Sequence, residues 1–159
     1  MKSSNDTTDM LERERLELEE KSEKNRERLA KLKQASDLAR LRRDVERDEI
    51  IADLAEKYGL PAPDGTDMAV LCSGAEMIIV GRVEDGEYNA FQKLVEKSDS
   101  KKNPLSTAAI ERFVRKGLLH PSQDEFSRLA TKMHLLVLHA SNEILKLHGA
   151  NIEEREGKA

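Results

Sequence analysis

Aromatic side chains are scarce in this 159-residue sequence: two tyrosines and three phenylalanines make up 3% of it. The chain is thus poor in the bulky groups that build a large core. Cysteine occurs once, as Cys72. A single thiol closes no intrachain disulfide, and its solitude fits a reducing cytoplasm. No apolar run approaches the roughly 18 residues that span a bilayer. Met1-Lys2-Ser3-Ser4-Asn5-Asp6 leads into charge rather than into the apolar stretch of a secretory signal. A basic excess is also lacking. The formal net charge is −4 although 36% of the residues are charged, so both signs are interleaved. That balance speaks against a dedicated nucleic-acid binder.

Glycine and proline are absent from Leu11 to Lys57, where more than half the residues carry charge. The stretch predicts one long helix within residues 1–58. Asp9 and Glu12 form a capping box at its start, and Glu17/Lys21, Glu20/Lys24 and Glu27/Lys31 are i,i+4 pairs in the favourable orientation. Leu11, Leu18, Leu32 and Ala39 follow a seven-residue repeat with Asn25 in its middle. The companion positions are not consistently apolar. Two readings stay open: a self-associating coiled coil, or a single charged helix that docks only by its end. Apolar density rises at Leu38, Leu41, Val45, Ile50, Ile51, Leu54 and Ala55, which gives the second half of the helix a packing partner.

Gly59-Leu60-Pro61-Ala62-Pro63-Asp64-Gly65 stops the helix and makes residues 59–67 a linker. Beyond it, Met68–Cys72 and Met77–Val80 predict two short strands around Ser73-Gly74. Asp85 caps a helix running from Gly86 to Lys97. Ser98 to Lys102 reads as a polar loop, and Asn103-Pro104 opens a helix that ends at Gly117. Ser122 and Glu125 form a capping box for the next, and a last helix runs from Leu135 to Gly149. Tyr88, Phe91, Phe113, Phe126 and Ile144 are the expected core. The fold class is therefore an α-rich α+β protein: a long charged N-terminal helix, a linker, a small domain over residues 68–150 with a short β-hairpin and about four helices, and a disordered tail over 151–159.

Candidate chemistry is thin. His134 and His139 lie on different faces of a helix; His139 and Glu143 share one, but two ligands fall short of a zinc site. No phosphate-binding loop, nucleophile elbow or Cys–His pair occurs, so no catalytic residue, metal or cofactor is expected. Arg40, Arg42 and Arg43 are followed at once by Asp44, Glu46, Asp48 and Glu49, which cancel their field within a Debye length. Leu135-Leu136-Val137-Leu138 stands apart, because four consecutive apolar residues cover every side of a helix. Either this helix runs through the middle of the bundle or part of it receives another chain; Leu135, Leu136 and Leu138 are the candidate partner-binding residues.

Four further groups of residues carry a resemblance: Glu87, Tyr88 and Phe91; Leu118, Leu119, His120 and Pro121; Glu125, Phe126 and Leu129; and Glu143, Ile144, Leu147 and Gly149. In this order, from about Met77 to Ala150, the chain resembles the small tail assembly chaperones of long-tailed bacteriophages. The resemblance implies a non-enzymatic protein in the host cytoplasm. It would bind the tape measure protein, a long helical chain with apolar stretches, and keep it soluble while the tail tube grows. The competing expectation is a structural or scaffold protein that self-associates through its N-terminal helix.

Overall fold

Helix α1 (Ser3–Tyr58) comes first in the computed structural model, which describes residues 3–98 and 102–157. It begins before the expected capping box, so Asp9 and Glu12 lie inside it. No glycine or proline interrupts Ser3 to Thr8, and the Thr8 hydroxyl donates to the Ser4 carbonyl at 2.7 Å, as a helical threonine does. The Glu20–Lys24 pair closes at 3.1 Å and Arg15–Glu19 at 3.2 Å. Such exposed pairs contribute only a few tenths of a kcal/mol each. Gly59 ends the helix with φ +115°, donating its N–H to the Ala55 carbonyl at 2.9 Å. A Cβ at that position would sit 2.4 Å from the Asp67 carboxylate.

The chain divides into two units, Met1–Glu46 and Arg47–Ala159. The boundary expected at Tyr58 thus moves back into α1. The reason is packing: Ile50, Ile51, Leu54 and Ala55 lie against Met68, Met77 and Ile79, and the Arg47 guanidinium donates to the Gly74 carbonyl. Nor are residues 59–67 a free linker. Ala62 N–H donates to the Met68 carbonyl at 2.9 Å and Gly65 N–H to that of Pro61 at 3.1 Å. Arg82 holds the Thr66 carbonyl at 3.0 Å and its hydroxyl at 2.7 Å, and pairs with Asp67 at 3.3 Å.

The expected hairpin is part of a three-stranded antiparallel sheet, ordered β1 (Met68–Ser73), β2 (Glu76–Gly81), β3 (Leu118–His120). In β1–β2 the register runs from Met68↔Gly81 to Ser73↔Glu76, and Gly74 in the turn takes φ +60°. β3 pairs Val80 with Leu118 and Ile79 with His120 across a bulge. Its three residues, between Gly117 and Pro121, are too few to show alternation. β2 is covered on both faces, which explains the unbroken apolar run Met77–Val80. Met77 and Ile79 join Val70 and Leu119 under the end of α1. Ile78 and Val80 join Ala69, Leu71 and Leu118 under the helical layer.

That layer comprises α2 (Asp85–Lys97), α3 (Thr107–Gly117), α4 (Gln123–Lys132) and α5 (His134–Gly157). Phe91, Phe113, Phe126 and Ile144 are buried in it, with the Phe91 and Phe113 rings stacked at 3.9 Å. Tyr88 is only half-buried. The Ser122 hydroxyl caps α4, accepting the Glu125 N–H at 3.4 Å. At α3 the cap is Ser106, whose hydroxyl accepts the Ala109 N–H at 3.1 Å, rather than Asn103, which lies outside the first turn. Glu84, not Asp85, occupies the cap position of α2, without a side-chain bond. α5 starts one residue early and runs through Gly149 to Gly157, so the expected disordered tail from Asn151 is helical that far. One helical glycine costs about 1 kcal/mol and does not end a helix by itself. Residues 99–101 of the expected polar loop and the last two residues of the tail lie outside the described residues. Among the described residues, no helix is long and apolar enough to cross a membrane.

Gly117 marks the closest approach of the layers. A Cβ there would meet the Gly81 carbonyl oxygen at 2.8 Å and Ile144 Cδ1 at 3.0 Å, whereas one at Gly149 would meet nothing within 4 Å. Urea unfolding should show Gly117→Ala destabilised by roughly 1–3 kcal/mol, the usual cost of overpacking. Gly149→Ala should be stabilised by up to about 1 kcal/mol.

Candidate functional site

The geometry of α5 decides which of its four consecutive apolar residues can meet another chain. Successive residues are turned by about 100°. Val137, Ala140, Ser141, Ile144, Leu147 and His148 all fall on one arc and are buried. Leu136 lies at the edge of that arc with 8% of its surface exposed, inside the core cluster. Leu135 points to the opposite side, 67% exposed, and Leu138 flanks it at 40%. The expectation for Leu136 is therefore corrected in part: its place on the arc turns it mainly to the core, and only its edge reaches the surface, in a groove it shares with Leu135. Leu135 and Leu138 remain as surface residues.

At Leu135 lies an open groove of about 440 Å³, lined by Cys72 and Ser73 of β1, Lys132 and Met133 at the α4–α5 junction, and His134, Leu135, Leu136 and His139. The junction is a sharp one. Met133 has φ −132° and ψ 63°, closing α4 with its N–H on the Leu129 carbonyl at 2.8 Å. Its own carbonyl accepts from Leu136 at 3.1 Å and Val137 at 3.3 Å. One residue thus ends α4 and starts α5, and the turn presents Leu135 at the groove wall. Cys72, Met133 and His139 were not legible as site residues. Cys72 arrives from a strand more than sixty positions earlier, and no local pattern links the two segments.

The groove offers thioether, thiol, imidazole and aliphatic surface together with the Lys132 ammonium. Among the described residues, no three His, Cys, Asp or Glu side chains come together as metal ligands. Arg40 pairs with Asp37 at 3.6 Å on the exposed part of α1.

Two other histidines are structural. His148 is buried; its Nε2 accepts the Val83 N–H at 3.1 Å and its ring stacks on Tyr88 at 4.4 Å. Burial lowers its pKa, with Asp85 opposing and Arg82 reinforcing that shift. Burial also lowers the pKa of His120, against an opposing field from Glu125. Arg115 ties α3 to α4, donating to the Gln123 carbonyl at 3.2 Å and the Ser127 hydroxyl at 2.8 Å while lying over the Phe126 ring.

Lowered histidine pKa values mean that the unfolded chain binds protons more readily than the folded one. Stability is then full above the unfolded value near 6.5 and falls as pH drops from there towards the folded values. The urea midpoint should decline on acidification below about pH 6.5. His148→Gln, which keeps an acceptor for Val83 N–H without titrating, should show a shallower decline. Separately, Leu136→Ala should cost about 2–5 kcal/mol, while Leu135→Ala should stay within about 0.5 kcal/mol of the parent.

Comparison with protein-family models, with curated proteins and with solved structures finds no match to this chain.

Proposed function

We propose that this chain is a non-enzymatic phage tail assembly chaperone that shelters the tape measure protein in the host cytoplasm. The observation that carries the reading is the pair of exposed leucines on α5, Leu135 and Leu138, the first of which lines the groove at the α4–α5 junction. A helical client with an apolar stripe would bury these side chains and its own, at roughly 25 cal/mol per Å² of apolar surface removed from water. The client class comes from the resemblance carried by Glu87, Tyr88, Phe91, Leu118, Leu119, Pro121, Phe126 and Leu147. Charge supports it in a second way. The exposed, charge-rich α1 would add solubility to a complex whose other member aggregates.

A second reading has its own observation. Leu11, Leu18, Leu29 and Leu32 are all more than half exposed on α1, which favours a structural or scaffold protein that associates through that helix.

Co-expression with a tape measure protein separates the readings. The parent chain should raise the soluble fraction of the client several-fold, and Leu135→Glu combined with Leu138→Glu should remove that gain with the melting temperature preserved. A client that stays insoluble with the parent, or stays equally soluble with the double variant, would discard the chaperone reading.

A further inference from the structure

We infer that the N-terminal unit is an antiparallel pairing surface for a second copy of this chain. The inference rests on the self-association reading and is independent of client capture, which is assigned to the other unit. No residue of α1 is buried, and Leu11, Leu16, Leu18, Leu29, Leu32, Leu38 and Leu41 are exposed, unlike Leu54, which packs on the sheet. The charges of this helix, balanced in sum, are segregated in sequence. Ser3 to Glu20 carries seven acidic and two basic side chains; Lys21 to Arg43 carries nine basic and three acidic ones. A parallel copy would lay acid on acid and base on base. An antiparallel copy lays each block on its opposite. Single exposed pairs are weak, but the blocks act together, and like charges held face to face oppose the wrong polarity.

The spacing of the side chains is self-complementary in the same sense. Leu18, Ser22, Asn25, Leu29 and Leu32 succeed one another at intervals of four and three, the rhythm of a coiled-coil seam. When the helix is reversed on itself about a point between Glu23 and Lys24, Leu18 of one copy faces Leu29 of the other. Ser22 then faces Asn25, and the aliphatic stem of Arg15 covers Leu32. The polar Ser22/Asn25 layer falls at the two-fold axis, where a polar pair sets register at some expense of stability. The overlap takes in residues 4–43, a helix of roughly 60 Å. It excludes the end of α1, which is already occupied by the sheet.

The test uses the full chain carrying Cys72→Ser. Sedimentation at low ionic strength should give a dimer whose dissociation constant rises at least tenfold as salt is raised towards about 1 M, where the Debye length is near 3 Å. Two further variants, Leu18→Cys and Leu29→Cys, are then oxidised separately and as a mixture. A disulfide needs Cα atoms within about 7 Å, so the mixture should yield the crossed disulfide and each variant alone should yield almost none. Reversing Glu12, Glu14, Glu17 and Glu19 to lysine should weaken the dimer while leaving helicity unchanged. A monomer at all concentrations, an association indifferent to salt, or efficient self-crosslinking of Leu18→Cys would each overturn the inference. None of these outcomes bears on the client assay, so failure here and failure of the chaperone reading are told apart.

Discussion

Both layers of the compact unit are built on the four residues Met77, Ile78, Ile79 and Val80, which lie in the central strand and are all buried. Odd and even positions serve different neighbours. Met77 and Ile79 hold the last turns of α1, while Ile78 and Val80 hold the four-helix layer. Full burial of such side chains is worth about 1.5–3 kcal/mol each. A slip of one residue would exchange the two sets. The tight turn at Gly74 and the bulge at Ile79/Val80 therefore fix more than local geometry, because they assign each side chain to its layer. The same constraint explains why the end of α1 belongs with the sheet. Without Ile50, Ile51 and Leu54, one whole face of β2 would meet water.

From the sheet outward, the helical layer inherits its close approach from Gly117, whose missing side chain lets α3 pass into β3 against the Gly81 backbone and Ile144. That spacing seats α5 with one arc inward. Because four consecutive apolar residues span more of the helix than the arc does, two of them must face out. The exposed pair Leu135 and Leu138 is thus a product of helical geometry and of the sharp turn at Met133. Together with the groove that Leu135 lines, it is the feature of α5 on which the proposal of a received chain rests.

What could be read in the sequence was what is local. The uninterrupted charged helix, its stop at Gly59, the β-hairpin with its β-branched second strand, the Ser122 cap and the buried phenylalanines follow from spacing and residue type within a few positions. What could not be read depends on distant partners. β3 exists because Val80 and Ile79 are there to pair with it. Leu136 is separated from Leu135 only by the direction of the core. The domain boundary lies inside α1 because of residues that follow it, and the His148–Val83 bond joins positions 65 apart. The serine at position 106 took the cap expected of Asn103 because the chain there turns later than the proline suggests. The candidate site was half legible: the apolar run identified the helix, but not which of its members faces water.

The sheet ends on both sides in ways that discourage growth. At one margin, Pro61 bridges to Met68 and the Ala62 N–H occupies the Met68 carbonyl, so the first part of β1 is already covered by a segment poor in donors. At the other, β3 is three residues long and runs directly into Pro121. Short margins and prolines are how natural sheets avoid adding foreign strands. A protein that kept company with sticky, half-folded chains would need this restraint, since an open margin would recruit them as β-structure and seed fibres instead of releasing them.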